Sequence, residues 1–316
     1  MSQVLSGRKI ADDINQEVAE RVAALRGEHS IAPRLALLTV GQGDSLKQSE
    51  FILHESAARN IGIDVRSIVL PDDATEDELI AAVRNENQDP DTHGILVLLP
   101  LPEHIDQEIV FGEIAPNKEL EGALDVDDDD EPFDFEDIDT VNGKQGTTIT
   151  AVRTLLESID YDIPRSRNVF VTEDHIRDNP LVGRLLRMSE KVNVSVAITS
   201  TAEPNVREIT RSADLVLVSV SSPEIIDDTY LKKGAVVIDF LPVMVGEKYS
   251  KKKGRMVPIL KGGVNVEAAL RKASHVAPAL GSIGPIMIAM MMKNLVLNAC
   301  ESLEAESDNP SVREIA

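Results

Sequence analysis

An apolar run at residues 94–102, Gly-Ile-Leu-Val-Leu-Leu-Pro-Leu-Pro, constrains the fold more than any other feature of the chain. The run follows loop-forming residues at 89–93 and stops at two prolines. A short apolar run between turn signals predicts a strand that is buried on both faces, as strands of parallel sheets are. Open α/β sheets bind ligands at the carboxyl ends of their strands, so we expect Leu98 to lie beside a ligand site.

The residues before this run alternate helical and strand patterns. Aliphatic residues recur on one face of residues 7–25 and predict an amphipathic helix. Thr75 and Glu78 form a capping-box sequence, which predicts the start of another helix. The other predicted elements are a strand at 33–40, a helix from Asp44 or Ser45 to about Asn60, and a strand at 63–70. The resulting β-α-β-α-β order predicts right-handed crossovers.

A second α/β pattern begins near Thr148. A strand, a turn and a helix beginning at Pro180 come first, and further strands follow, which is the order of a dinucleotide-binding domain. The helix opened by Gly281–Pro285 is rich in methionine, and this favours core packing over a binding surface. The predicted strands are 168–171, 192–198, 213–220 and 234–240, with a hairpin or loop tip at lysines 251–253.

Charge and cysteine content exclude several classes of protein. The net charge of −22 argues against nucleic-acid binding and favours solubility at high ionic strength. One cysteine, Cys300, excludes a disulfide framework and a cysteine zinc site, and suits a reducing cytoplasm. The histidines are scattered, so we predict no metal site. The first eight residues lack the apolar core of a signal peptide, so we expect none, and we expect the apolar residues 286–299 to be too short and interrupted to span a membrane.

A strongly acidic segment separates the two patterns. Ten of the fifteen residues at 125–139 are Asp or Glu. Their spacing matches no EF-hand, and an unbroken run of carboxylates repels itself, so a solvated loop or linker is favoured over a cation-binding tract.

Seven segments resemble the bifunctional methylenetetrahydrofolate dehydrogenase/methenyltetrahydrofolate cyclohydrolase family of one-carbon metabolism, in the family's order and spacing. They are residues 5–11, 33–41, 94–102, 114–122, 213–220, 233–239 and 278–285. The resemblance implies an α/β fold with two domains around a cleft. The N-terminal folate-binding domain is expected at residues 1–124, and the C-terminal helix at 285–316 completes it. The linker is expected at 125–147 and the Rossmann-like domain at 148–284. It also implies a homodimer.

The resemblance implies a tetrahydrofolate derivative as substrate, contacted by Pro100, Gly281, Gly284 and Pro285. The glycines would let the backbone approach this ligand. The alternative is that residues 281–285 are only a helix-entry turn.

At the catalytic positions the chain departs from the family. The family's Tyr and its acid/base Lys fall on Glu50 and His54, and Lys47 lies almost two helical turns from position 54. Leu98 replaces the Gln that holds that Lys, and a leucine side chain makes no hydrogen bond. Paired aspartates become Glu119 and Glu121; Thr148 is retained. His54 is a candidate for proton transfer, or it is an ordinary cleft-lining histidine.

The predicted cofactor is NADP or NAD, beside an altered loop. The loop positions are Thr172, Glu173, Asp174 and Ile176. The family has Gly-Arg-Ser where this chain has 172–174, so no glycine admits a pyrophosphate, and Glu173 replaces an arginine expected at the NADP phosphate. Tight NADP binding is therefore not expected.

Two functions remain open at this point. The first is a diverged dehydrogenase of this family, with cyclohydrolase activity weakened or lost, because hydride transfer needs aligned ligands rather than a protein nucleophile. The second is a non-catalytic homologue that serves as a binding or assembly protein. Artificial alteration of the functional positions is a third explanation.

Overall fold

The computed structural model describes residues 2–121, 146–161, 166–173 and 196–307, in two compact units. The three-stranded unit comprises described residues of 11–121, 146–147 and 288–307. The six-stranded unit comprises those of 2–10 and 148–287. The acidic segment 125–139 and the predicted helix at Pro180 lie outside the described residues.

A parallel sheet of three strands organises the first unit. Strand β2, Arg34–Val40, lies between β3, Asp64–Leu70, and β4, Gly94–Val97. Helices separate the strands along the chain, as predicted, and each helix lets the chain return for a parallel pairing. The elements are helix α1 at Arg8–Glu28, strand β2 at Arg34–Val40, helix α2 at Ser45–Asn60, strand β3 at Asp64–Leu70, helix α3 at Glu76–Gln88, strand β4 at Gly94–Val97 and helix α4 at Gln107–Gly112.

Both faces of this sheet are covered, which explains the continuous apolar runs. Successive residues of β2 alternate between two apolar clusters, because side chains of a strand point to opposite faces. Leu35 and Leu37 enter one cluster, and Ala36, Leu38 and Val40 enter the other. All five are at most 2% exposed.

The second unit contains a parallel sheet of six strands in the order β1-β11-β8-β7-β5-β6. Helices α5 at Thr147–Glu157, α6 at Val206–Arg211 and α7 at Val266–Ala269 lie between strands along the chain. Strands β9, Val243–Ser250, and β10, Arg255–Lys261, form a separate hairpin with lysines 251–253 at its turn, as predicted. The sheet strands are Gln3–Val4 for β1, Asn168–Thr172 for β5, Val196–Ser200 for β6, Leu215–Ser219 for β7, Val236–Asp239 for β8 and His275–Ala277 for β11.

The N-terminus belongs to this second sheet, whereas the sequence predicts residues 1–10 in the first domain. Gln3 pairs in parallel with His275, and Val4 pairs with Val276. Strand β1 has two residues, which is too few to give a periodic signal, and its partner is distant in the chain. At its C-terminal side, the six-stranded unit ends at residue 287.

The C-terminal helix α8, Ile283–Ser307, is longer than the apolar segment recognised in the sequence. Over residues 283–303 its length and composition suffice to cross a membrane, which corrects the expectation drawn from 286–299, but 61% of its apolar stretch is buried inside the protein. Methionines 291 and 292, Leu295 and Val296 lie in an apolar cluster with helix α1. The methionine stripe therefore packs in the core, as predicted.

Candidate active site

The carboxyl ends of β2 and β4 are joined by a lysine that the sequence did not mark as a site residue. The Lys47 Nζ donates to the carbonyl oxygens of Val40 and Pro100, at 2.8 Å each. Lys47 is only 6% exposed. Burial lowers the pKa of Lys47, and the nearby carboxylates of Asp72 and Asp44 partly oppose this effect. A cation is thus held where α/β sheets bind ligands.

The start of helix α2 fixes the position of Lys47. Asp44 is the N-cap, and its carboxylate accepts the backbone N–H groups of Leu46 and Lys47, both at 3.0 Å. Gly43 has a φ of +59°, and a Cβ there would lie 2.6 Å from the Lys47 Cδ. A larger residue at 43 would be strained and would collide with the lysine stem.

His54 faces its own helix backbone rather than an acidic side chain. Its Nδ1 lies 2.9 Å from the carbonyl oxygen of Glu50, one turn earlier, and the residue is 7% exposed. An Nδ1–H that donates to this carbonyl leaves Nε2 as a proton acceptor. The contact thus uses the backbone carbonyl of Glu50 rather than its carboxylate.

Leu98 lies in apolar surroundings. Its N–H donates to the Leu38 carbonyl at 2.9 Å, which extends the β2–β4 pairing by one residue beyond Val97. Its side chain is 6% exposed and lies in the cluster that contains Leu37 and Leu120. Pro100, two residues later, is exposed and follows a cis peptide bond.

The two glutamates at 119 and 121 differ in their surroundings. Glu119 is 8% exposed, and its Oε1 accepts the backbone N–H of Glu121 at 2.7 Å. Glu121 is partly exposed, and its carbonyl accepts the N–H of Thr147 at 3.0 Å. The predicted site residue Glu121 therefore belongs to a turn that the Glu119 carboxylate stabilises by accepting a backbone N–H. Thr148 is buried in the first turn of α5.

The turn before α8 belongs to the six-stranded unit. Gly281 has a φ of +82°, and its carbonyl accepts the N–H of Gly7 at 3.0 Å. Among the described atoms, nothing lies within 4 Å of a Cβ placed on Gly284. Pro285 falls in the first turn of the helix, where its missing N–H costs little. Conformation requires glycine at 281, and open space surrounds Gly284.

The order of the six-stranded sheet contains a reversal of the kind at which parallel sheets bind dinucleotides. From β5 the chain passes to β6 on one side and then returns to β7 on the other side. Thr172 ends β5 and is 3% exposed. Glu173 follows, and its carboxylate accepts the N–H of Ser222 at 2.7 Å and the hydroxyl of Ser221. Asp174 and Ile176, the other predicted cofactor residues, lie outside the described residues.

A buried carboxylate also lies at this edge of the sheet. Asp239 ends β8, is 1% exposed, and accepts the N–H of Val264 at 2.9 Å through Oδ2. Its Oδ1 has no hydrogen-bond partner among the described residues. Burial raises the pKa of Asp239 to about 6, although backbone N–H groups of Val264, Leu241 and Gly263 oppose the shift.

Comparison with known proteins identifies the family. Residues 5–121 match the tetrahydrofolate dehydrogenase/cyclohydrolase catalytic domain, and residues 146–303 match the NAD(P)-binding domain of the same family. The chain belongs to the tetrahydrofolate dehydrogenase/cyclohydrolase family. The resemblance recognised in the sequence is thereby confirmed, together with the two-domain α/β fold and its Rossmann-like NAD(P)-binding domain.

Members of the family match over nearly their whole length. The bifunctional protein FolD of Ligilactobacillus salivarius is 32% identical over 307 residues, which are 97% of this chain and 100% of that protein. The dehydrogenase-cyclohydrolase of Trypanosoma brucei, solved with NADP and an inhibitor, has a TM-score of 0.77 at 27% identity and covers 96% of this chain and 98% of its own. The Campylobacter jejuni enzyme gives 0.75 at 25%, with 95% and 99% covered.

The family's NAD(P)-binding domain and folate chemistry agree with the predicted cofactor, NADP or NAD, and with a tetrahydrofolate substrate. Lys47, Asp239 and the serines at 221–222 were missed by sequence reasoning. The sequence contained a signal for two of them. Asp239 is the last residue of an apolar strand, and Lys47 lies in the first turn of the helix that follows strand β2. In the described residues, no three His, Cys, Asp or Glu side chains converge as a metal site would require.

Proposed function

We propose that this protein is a methylenetetrahydrofolate dehydrogenase whose methenyltetrahydrofolate cyclohydrolase activity is weak or lost. In the proposed reaction, a hydride leaves the methylene carbon of the folate, and the methenyl cation is the product. NAD or NADP, when bound, accepts that hydride. The protein's part is to bind and align two ligands and to exclude water, which needs no protein nucleophile.

The observation that carries this proposal is the apolar packing of Leu98. Hydrolysis of the methenyl product needs a group that moves protons, held in a productive orientation by a polar partner. Leu98 is buried among aliphatic side chains and offers no side-chain donor or acceptor. His54 has its Nδ1 on the helix backbone, so only Nε2 remains for proton transfer. Cyclohydrolase chemistry would therefore lack a positioned proton-transfer group, which hydride transfer does not require.

The two matched domains support separate roles for the two units. We assign the folate substrate to the three-stranded unit, where Pro100 follows strand β4. We assign the dinucleotide to the carboxyl end of β5, at Thr172 and Glu173. A carboxylate there fits a nicotinamide dinucleotide with free ribose hydroxyls better than one with an added phosphate. We also propose that the protein is cytoplasmic and that it forms a homodimer. Sedimentation at high salt tests the homodimer.

One experiment separates the two activities. The purified protein, at low and at high salt, is given methylenetetrahydrofolate with NAD and in parallel with NADP. Dinucleotide reduction and the disappearance of added methenyltetrahydrofolate are recorded separately. We expect reduction with at least one dinucleotide and hydrolysis near the spontaneous rate. Hydrolysis at a rate comparable to reduction would contradict the loss of cyclohydrolase, and folded protein without any reduction would contradict the dehydrogenase.

A non-catalytic binding or assembly protein is the second candidate. It is supported by Glu173, whose carboxylate is engaged by Ser221 and Ser222 at the carboxyl end of β5, where a dinucleotide would bind. This candidate predicts no dinucleotide binding in calorimetry. Micromolar affinity for either dinucleotide would remove it.

A further inference from the structure

The hairpin of β9 and β10 concentrates positive charge in a strongly acidic chain. Six of the nineteen residues at 243–261 are Lys or Arg and one is Glu, whereas the whole chain has a net charge of −22. Lys248 and the three lysines at 251–253 are exposed. In the part of the chain that the structure describes, these four lysines have no carboxylate partner, unlike Lys261, which pairs with Glu224. Their ammonium groups are therefore open to an anionic partner.

The end of the hairpin also exposes apolar side chains beside the lysines. Tyr249 pairs with Met256, and residues that are directly opposite in an antiparallel pair lie on the same face. Their exposed fractions are 63% and 43%. Neither β9 nor β10 pairs with any other described strand. Tyr249, Met256 and lysines 251–253, which we call the tip surface, therefore suit a partner that carries both carboxylates and aromatic side chains.

The acidic segment at 125–139 has this composition. Ten of its fifteen residues are Asp or Glu, and Phe133 and Phe135 stand among them. The segment belongs to the 24 residues between Glu121 and Gly146, which are the nearest described residues. An extended chain of that length spans about 80 Å, whereas a domain of this size is only about 40 Å across. Chain length therefore does not prevent the segment from reaching the tip surface.

The charge distribution favours a short acidic segment over a larger polyanion. Exposed charges interact over a Debye length of about 8–10 Å at moderate salt. A short segment that is confined to the hairpin therefore interacts mainly with its lysines. A nucleic acid or an anionic membrane extends further and would also meet the acidic remainder of the chain, which repels it.

We propose that the tip surface is a docking site for the acidic segment 125–139 of the same polypeptide chain. Lysines 251–253 attract its carboxylates, and Tyr249 and Met256 contact its phenylalanine rings, which methionine sulfur and aromatic side chains attract. Exposed ion pairs are individually weak, so several of them act together with the apolar pair. The inference does not depend on the proposed dehydrogenase, because it uses no residue assigned to either ligand.

Competition with a labelled synthetic peptide of residues 125–139 tests this docking. Fluorescence anisotropy at low salt gives its dissociation constant for the full-length wild type and for a variant with the four aspartates 127–130 changed to asparagine. A tethered segment acts at an effective concentration that reaches the millimolar range. We therefore expect the wild type to bind the peptide at least tenfold more weakly than the neutralised variant does.

Substitutions on the hairpin locate the binding site. In the neutralised variant, changing lysines 251–253 together to glutamine should weaken peptide binding at least tenfold, and Tyr249→Ser should weaken it severalfold. The matched control removes three lysines elsewhere, Lys9, Lys233 and Lys293, and should leave the affinity within about twofold. Binding should weaken as salt rises, because salt screens exposed charges. Circular dichroism confirms that each variant is folded before binding is measured.

Three outcomes would overturn the inference. Equal loss of affinity in the hairpin lysine variant and in its control would mean that the peptide senses only overall charge. Equal peptide affinity of the wild type and the neutralised variant would mean that the chain's own segment does not occupy the surface. Tighter binding of a single-stranded oligonucleotide or of phosphatidylserine vesicles than of the peptide would assign the surface to a different partner.

Discussion

The ammonium group of Lys47 lies 2.8 Å from the carbonyl oxygen of Pro100, a residue 53 positions later in the chain. The same ammonium donates to Val40 at the end of β2. One side chain thus joins the loops that follow two adjacent strands, and it fixes the backbone at the predicted substrate contact.

Replacement of this lysine tests its contribution. Lys47→Met keeps the length of the stem but leaves both carbonyl groups without their charged donor. We expect the free energy of unfolding to fall by about 2 kcal/mol, since hydrogen bonds to charged groups contribute about that much. Urea unfolding measures the loss. Lys293→Met is the matched control, because Lys293 pairs with the exposed Glu17 at 3.6 Å and its loss should cost under about 1 kcal/mol. A Lys47→Met protein as stable as the control would show that these bonds contribute nothing.

Leu98 offers a test of the apolar site edge. Leu98→Gln places an amide in a cluster of aliphatic side chains, and burial of an unpaired amide costs about 1–3 kcal/mol. We expect that loss in urea unfolding, with hydrolysis of methenyltetrahydrofolate unchanged. Leu98→Met conserves volume and should cost under about 1.5 kcal/mol. If the glutamine variant instead gained hydrolysis at no cost in stability, a polar partner must already lie within reach of position 98.

Thr75 tests a local feature. Its hydroxyl accepts the N–H of Glu78, and the Glu78 carboxylate accepts the N–H of Thr75 at 2.8 Å. Thr75→Ala should lower the free energy of unfolding by about 1 kcal/mol. Thr75→Ser, which keeps the hydroxyl, should recover most of it. Equal losses in both variants would mean that the methyl group, not the cap, matters.

This capping box is a contact that the sequence alone predicts. Thr75 and Glu78 are three residues apart, so their bonds follow from local geometry, and so do the strands and helices around them. The hydrogen bond between Lys47 and Pro100 depends on which strands are neighbours in the sheet, and no local sequence pattern predicts that order. The same limit applies to β1, whose partner lies at the other end of the chain, and to Glu173, whose two serines follow a different strand. Strand order determines all three contacts, and it emerges only from the assembled sheets.

Helix α8 contributes a polar contact that its apolar sequence conceals. The Asn294 Nδ2 donates to the Leu120 carbonyl at 2.8 Å, and both residues are buried. Asn294→Leu removes this donor from a buried carbonyl, which costs about 1–3 kcal/mol. Urea unfolding should show that loss, whereas Leu297→Met on the same helix should change stability little. A gain in stability for Asn294→Leu would mean that apolar packing outweighs the lost bond.

The raised pKa of Asp239 predicts that the free energy of unfolding depends on pH, and it fixes the sign of that dependence. The unfolded chain releases this proton near pH 3.8, whereas the folded chain holds it to about pH 6. The folded state therefore binds more protons within this window, so the contribution of Asp239 to stability falls as pH rises through it. Two pKa units amount to about 3 kcal/mol. Above pH 6 the full penalty of a buried carboxylate is present.

Asp239→Asn removes this titration. We expect the variant to gain stability relative to the wild type at about pH 7, and to lose most of that advantage near pH 4, where the wild-type carboxyl is neutral when folded. Urea unfolding of both proteins at each pH gives the difference, so that other titrating groups cancel. Glu203→Gln removes an exposed carboxylate of the same unit and is the control for the loss of one negative charge. An advantage of Asp239→Asn that stays constant from pH 4 to 7 would mean that Asp239 is not protonated in the folded protein, and that its unpartnered Oδ1 is instead stabilised as an anion.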